Sequence, residues 1–141
     1  MPEYTAIAAQ TVAANQNVLF LETPIPCNKG LVTHRSGSGL FSLRGITAQC
    51  RARYKIDFGA NIAVSTGGTA GAISIAAAVD GEPLLSSVAT VTPTALEAFF
   101  NVATSEYIDV PKGCCAALSI RNTSGQPIDV SNAKLIVTRV C

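Results

Sequence analysis

The sequence lacks several features that would point directly to an activity. It has no tryptophan, one histidine and one methionine, and 13% of its 141 residues are charged, against roughly 25% in an ordinary soluble domain. Ten Lys and Arg residues and nine Asp and Glu residues leave a net charge of +1. A protein that binds nucleic acid by neutralising phosphates is far more basic, so we expect no nucleic-acid partner. The small catalytic inventory favours a structural or interaction protein over an enzyme.

Targeting and membrane segments are also missing. The first residues, Met-Pro-Glu-Tyr-Thr, do not begin the basic and then apolar segments of a standard signal peptide. The uncharged stretch at residues 61–79 is broken by Gly67, Gly68 and Gly71, and it is too polar for a membrane span. We therefore expect synthesis in the cytosol and no membrane partner.

Five cysteines lie at positions 27, 50, 114, 115 and 141, and no two form a Cys-x-x-Cys pair. Structural zinc sites need four ligands, usually in two closely spaced pairs. Only Cys114 and Cys115 are close, and adjacent strand residues point to opposite faces. We predict no metal site and no cofactor. The thiols are interpreted as small, buried apolar side chains, and a disulfide between distant cysteines stays open for a chain that leaves the cell.

β-Branched residues are abundant: the chain has 12 Val, 11 Ile and 13 Thr, which pack well on a pleated sheet. Turn signals recur along the chain, and no helix-rich stretch separates the predicted strands. The pattern predicts roughly eight to ten strands in an all-β fold, an antiparallel jelly-roll sandwich. Residues 1–16 are expected to form an N-terminal arm or a first strand, and residues 17–141 a single domain.

The clearest periodicity runs from Arg51 to Val64, where apolar residues alternate with polar ones. A period of two places one set inside and the other outside, and Gly59 is expected to mark a bulge. From this and the later strands we predict seven core residues: Tyr54, Ile56, Phe58, Leu118, Ile120, Leu135 and Val137.

Three local signals make further predictions. Val79-Asp80-Gly81-Glu82 is typical of a primed hairpin turn, with residues 84–91 as the returning strand. Pro24 and Pro26 argue against a strand at their position. The capping-box pattern from Thr94 to Glu97 predicts one helical turn, in competition with a strand.

No combination of residues predicts catalysis. His34 is followed by Ser36 in a Gly-rich turn, but nothing in the spacing supplies an orienting carboxylate or an oxyanion hole. The Gly-rich residues 67–71 lack the Lys-Ser/Thr ending of a phosphate-binding loop. Acidic residues such as Asp57 and Asp109 are scattered over separate predicted strands and turns. We therefore predict no catalytic residues.

Arg51, Arg53 and Lys55 share one face of the long predicted strand. This face is either a basic patch for an acidic partner or phosphate, or a solvated face with subunit salt bridges to Asp57. The near-neutral charge of the chain favours the second interpretation.

Two blocks resemble a known architecture. The strings Ala52-Arg-Tyr-Lys-Ile-Asp-Phe-Gly-Ala-Asn61 and Tyr107-Ile-Asp-Val-Pro-Lys-Gly113, followed by the strand at residues 115–121, are similar to the third strand and a turn-plus-strand pair of the tumour-necrosis-factor and complement-head jelly roll. The closing string Lys134-Leu-Ile-Val-Thr-Arg-Val140 fits the end of that family. The resemblance covers about residues 40–140.

Residues 9–18 and 61–68 also resemble small capsid-associated proteins of Firmicutes prophages and gut phages. This resemblance implies a homotrimer on a virion, made in the host cytoplasm. Two functions follow from it. The first is a capsid decoration protein that binds the major capsid protein, with Tyr4, Ile7 and Val12 in a capsid-contacting arm. The second is the trimeric, ligand- or glycan-binding head of a phage or bacterial surface fibre, with residues 35–39 and 65–71 as binding tips.

Overall fold

The computed structural model describes residues 2–26 and 31–140. Within them the backbone forms strands and one short 3₁₀ helix, Leu85–Ser87. The strands are β1 (Glu3–Ala6), β2 (Gln10–Val12), β3 (Glu22–Ile25), β4 (Val32–His34), β5 (Phe41–Arg44), β6 (Arg51–Val64), β7 (Ile73–Val79), β8 (Glu82–Pro83), β9 (Ala89–Val91), β10 (Phe100–Pro111), β11 (Cys115–Asn122) and β12 (Ile128–Arg139).

The strands form two antiparallel sheets that pack face to face. The first sheet has the order β10-β6-β12-β1-β3, and β2 also pairs with β12. The second has the order β4-β5-β11-β7-β8, and β9 also pairs with β7. The predicted all-β, antiparallel sandwich is confirmed. In the described residues no helix is long and apolar enough to cross a membrane.

β6 is an interior strand of the first sheet, because it pairs with β10 along one side and with β12 along the other. Its alternate side chains from Ala52 to Val64 point inward and are buried, whereas most of the intervening side chains stay at least partly exposed. The core contains all seven residues that the sequence selected, which are 0 to 3% exposed: Tyr54, Ile56, Phe58, Leu118, Ile120, Leu135 and Val137.

Aromatic rings join the two sheets at one side of the core. Phe41 on β5 stacks on His34 with ring centroids 4.3 Å apart, and Tyr4 of the first sheet contacts both rings. Phe20 packs edge-on to Phe41 and to Phe58. Such tilted and edge-on pairs add specific attraction to the area that they bury.

A fully buried side-chain amide, that of Asn122, orders the end of the sandwich where the turns after β2 and β11 lie. Its Nδ2 donates to the carbonyl oxygens of Val12, Ala13 and Gln126, at 3.1, 3.2 and 2.9 Å, and its Oδ1 accepts from the Ser124 N–H at 2.9 Å. A buried polar group needs such partners, because an unpaired one costs free energy. Asn122 therefore holds the turn after β2 against the turn between β11 and β12.

Residues 1–16 were expected to form an arm or a first strand. In the structure β1 and β2 lie in the first sheet, paired with β12. Tyr4 and Val12 are each 3% exposed, whereas Ile7 is 61% exposed. Tyr4 and Val12 are thus core side chains, and they are not available for contact with a capsid because they already pack inside this chain. Of the three residues predicted for the capsid-contacting arm, Ile7 alone is exposed.

Two predictions about strand positions were wrong. Pro24 lies within β3, because β3 is an edge strand whose outer side needs no N–H donor. The bulge lies on β12 and not at Gly59: Ser131 pairs with Asn61 and Lys134 with Gly59, so one extra residue of β12 is accommodated there. Asn132 takes the left-handed backbone conformation at this point, with φ of 52°.

The Asp80-Gly81 turn has both φ angles positive, 54° and 84°, as a primed turn of type I′ requires. The predicted returning strand at residues 84–91 is interrupted, because β8 and β9 both pair with β7 but the 3₁₀ helix separates them. In this gap the Ser87 hydroxyl accepts from the Ala77 N–H at 3.0 Å in place of a backbone carbonyl.

The predicted helical turn near Thr94 is wrong. The segment after β9 forms non-helical turns, and Glu97 has a positive φ of 57° that interrupts a helix.

Replacing Phe58 by Ala should destabilise the domain by roughly 3–5 kcal/mol, because it leaves a cavity beneath Phe20 in a close-packed core. Urea unfolding followed by circular dichroism measures this loss. The control is Ile46→Ala, at a side chain that is about half exposed. An unchanged unfolding midpoint for Phe58→Ala would contradict the placement.

Candidate functional site

Most of the exposed large apolar side chains fall into two groups, one at each edge of the first sheet. The β3 edge and the segments beside it carry four of them: Ile7, Leu19, Leu21 and Ile25. The β10 edge and the segments beside it carry six: Leu85, Val88, Leu96, Phe99, Phe100 and Tyr107. Single exposed apolar residues are ordinary, but clusters of this kind mark interaction surfaces.

The β3 edge is held in place by side-chain hydrogen bonds to backbone. The Gln10 amide exchanges two bonds with the backbone of Leu19, at 2.8 and 3.0 Å. The Ser36 hydroxyl donates to the Leu21 carbonyl at 2.9 Å, and the Leu21 N–H donates to the Thr5 carbonyl. The exposed leucines therefore sit on an ordered backbone.

The β10 edge is also built from several segments. The 3₁₀ helix packs against β10, where the Ser86 hydroxyl donates to the Glu106 carboxylate. The Glu97 N–H donates to the Val64 carbonyl at 2.9 Å, which ties the segment before β10 to the end of β6. Tyr107, 58% exposed, lies on β10 itself, opposite Lys55.

Between the two edges lies the outer face of the first sheet, and its Arg51 end is basic. Arg53 donates from Nε and Nη2 to the two carboxylate oxygens of Asp109, at 2.8 and 3.1 Å. Arg51 reaches the same carboxylate through one contact of 3.3 Å and remains 55% exposed. Within the chain the partner is Asp109 on β10, because the β6–β10 register places Asp109 opposite Arg53; the predicted subunit salt bridges to Asp57 stay a prediction.

The arginines hold the pKa of Asp109 below its ordinary value. The main cause is the hydrogen bond from Arg53, and the charges of Arg53 and Arg51 act in the same direction, against a smaller rise from desolvation. The carboxyl group is therefore ionised throughout the neutral range.

A shallow depression of about 460 Å³ lies at the middle of this face. It opens where Gly59 and Ala103 leave little side chain, and its lining is Asp57, Phe58, Gly59, Ala103, Thr104, Ser105, Lys134 and Ile136. Beside it three amides form a row across the sheet. Asn101 donates to Asn61 at 3.1 Å, and Asn61 donates to Asn132 at 3.4 Å.

The two predicted binding loops are ordered by internal contacts. His34 Nε2 lies 2.8 Å from the Ser38 carbonyl, and Gly37 donates to the Phe20 carbonyl, so residues 35–39 support the β3 edge. The Gln126 amide exchanges two bonds with the Thr69 backbone, which holds residues 65–71. His34 and Ser36 form no nucleophile–base pair, because the Ser36 hydroxyl bonds to Leu21.

The prediction of buried thiols is wrong for the three cysteines that the structure describes. Cys50, Cys114 and Cys115 are free and exposed, because they lie at turns and strand ends beyond the core. Cys27 and Cys141 lie outside the described residues. Over residues 2–26 and 31–140, no group of three or more His, Cys, Asp or Glu side chains could hold a metal ion.

No protein-family model matches the chain, and no curated protein matches it. Solved structures do. The globular domain of zebrafish complement 1qA protein is 13% identical with a TM-score of 0.63, and covers 96% of this chain and 94% of its own. Murine APRIL at pH 5.0 is 8% identical with a TM-score of 0.64, and covers 99% and 98%. At such identities the likeness shows the fold alone, and the predicted tumour-necrosis-factor and complement-head jelly roll is confirmed.

Replacing Asp109 by Asn should lower the free energy of unfolding at pH 7 by less than about 1 kcal/mol, since the ion pair is partly exposed. Because folding lowers this pKa, the contribution is present above about pH 4 and is lost as the pH falls through the folded-state value. Urea unfolding at pH 7 and pH 3 should show a difference that shrinks at pH 3. Asp57→Asn is the matched control, and an equal Asp109→Asn effect at both pH values would contradict the assignment.

Proposed function

We propose that the chain is a non-enzymatic head domain that joins copies of itself into a closed ring and presents its remaining surface to a ligand. The observation that carries this proposal is the pair of apolar edges on one sheet. Three copies is the number that the resemblance to the tumour-necrosis-factor and complement-head jelly roll implies.

The two edges differ in composition, which supports head-to-tail contact. The β3 edge is aliphatic, whereas the β10 edge carries Phe99, Phe100 and Tyr107. A twofold dimer made from one edge would leave the other exposed to water. Contact between the β3 edge of one copy and the β10 edge of the next covers both edges in every copy once the rotation between neighbours closes a ring.

The same geometry orients the copies. The exposed apolar side chains lie at the edges of the first sheet, and the second sheet covers that sheet's inner face. In the ring we propose, the first sheets meet edge to edge with their free outer faces toward the shared axis and the second sheets outside. The ligand surface we propose is therefore the exterior, including residues 65–71.

The chemistry of that loop suits a hydroxyl-bearing ligand such as a glycan. Thr66 and Thr69 supply hydroxyl groups, and Gln126 supplies an amide already ordered against the loop. The capsid-decorating role remains a second form of the same proposal, in which the ring binds a major capsid protein on a virion. It rests on the resemblance of residues 9–18 and 61–68 to phage proteins.

Light scattering on the purified chain should give three times the chain mass, unchanged by reductant, because side-chain packing and not a disulfide joins the copies. A stable monomer at micromolar concentration would contradict the ring.

Two edge variants test head-to-tail contact directly. Leu21→Glu disables the β3 edge and Tyr107→Glu the β10 edge, so each variant alone should be monomeric. Mixed in equal amounts, they retain one good contact and should form a complex of two chains. Ile46→Glu, at an exposed apolar residue away from both edges, is the control that should keep three copies. A two-chain species of either variant alone would exclude the head-to-tail arrangement.

A further inference from the structure

We propose that the ring binds one small multivalent oxyanion on its axis, at the Arg51 end of the shared outer faces. The site would be completed by three copies, and the inference rests on the ring proposed above. The ligand class is a phosphate-, sulfate- or carboxylate-bearing ion with at least two negative charges.

The charge balance of this end leads to the inference. On the outer face of β6 the cations Arg51, Arg53 and Lys55 follow one another at alternate positions. Residues two apart on a strand are about 6.6–6.8 Å apart, so the three span roughly 13 Å. Asp109 contacts Arg51 and Arg53, and Asp57 lies at the next outward position after Lys55, so these three cations exceed the two carboxylates beside them by one positive charge.

The three cations differ in how closely they are paired with a carboxylate. Asp109 accepts two short hydrogen bonds from Arg53 and has one longer contact with Arg51. The neighbours of Lys55 across the sheet are Tyr107 and Thr138, and no carboxylate in the described residues lies within 4 Å of its ammonium group. Arg51 and Lys55 therefore have N–H donors that are available to bind an anion.

Association in a ring concentrates this charge. Each outer face turns toward the axis in the proposed ring, so three copies bring about three excess positive charges to one end of it. Like charges gathered in a site of reduced dielectric repel unless a counter-ion occupies it. Guanidinium groups favour oxyanions, because their N–H donors match two oxygens at once.

A competing arrangement uses the partner copies. Glu3 and Glu22 lie toward the β3 edge of the same sheet, and a neighbour's carboxylates could pair with Arg51 or Lys55. The two arrangements predict opposite changes in the stability of the ring when a cation is removed. Removing a cation should stabilise the empty ring if the charges repel, and should weaken the ring if each cation is paired between copies.

The test uses the full chain in sodium chloride, with sodium sulfate and sodium pyrophosphate added at constant ionic strength. Pyrophosphate should raise the melting temperature of the ring by roughly 5 °C at saturating concentration. Calorimetric titration should give one pyrophosphate for three chains. Light scattering on the same samples reports separately whether the ring is present.

Arg51→Gln and Lys55→Gln should each reduce pyrophosphate affinity at least tenfold and should raise the melting temperature in chloride alone. Lys134→Gln is the matched control, since it removes the same charge from the same face beside Gly59, away from the Arg51 end. Sulfate and pyrophosphate acting alike would indicate a general oxyanion site, and a response to pyrophosphate alone a phosphate site; both support the proposal.

Three results would overturn it. With the ring intact, a melting temperature equal to that in matched chloride shows charge screening only. A stoichiometry of one pyrophosphate for each chain shows that the site is not shared. A weaker ring in Arg51→Gln shows ion pairs between copies. A monomeric wild-type chain would instead refute the proposed function itself.

Discussion

The structure depends on the two-residue alternation of β6. This strand pairs with β10 and β12 along most of its 14 residues, so its side chains cannot rotate between faces without breaking both ladders. Its inward side chains line the core on the side of the first sheet. Its outward side chains include Arg51, Arg53 and Lys55. A one-residue slip would exchange the two sets. Core packing and surface charge are therefore specified by one constraint.

The fold was predictable because its main signals are local. Alternation over β6 identified Tyr54, Ile56 and Phe58 as core residues, and the Asp80-Gly81 pair identified a hairpin. What could not be predicted depends on pairing between distant segments. Pro24 is acceptable only because β3 is an edge strand, and the β12 bulge at Asn132 follows from registers that no short window contains.

The candidate site also has features that a local sequence pattern predicted and features that depend on pairing between distant segments. The basic face of β6 was visible as a pattern, but its partner within the chain, Asp109, follows from the β6–β10 register, and the subunit salt bridges to Asp57 stay a prediction. The apolar edges were missed altogether. Leu19, Leu21 and Phe99 lie in irregular segments beside the strands, where apolar residues carry no periodicity that would separate inside from outside. A usable signal was the excess of apolar residues in short segments that show no alternation.

Pro24 in the β3 edge has one more consequence. An exposed sheet edge can accept a foreign strand and so begin an open-ended, fibril-like stack. Proline has no N–H to donate, and Pro26 follows two residues later, so backbone pairing along this edge cannot continue. The edge can therefore bind another apolar surface through its aliphatic side chains and still resist polymerisation through backbone hydrogen bonds. That separation lets a chain rich in valine, isoleucine and alanine carry apolar edges without becoming a seed for aggregation.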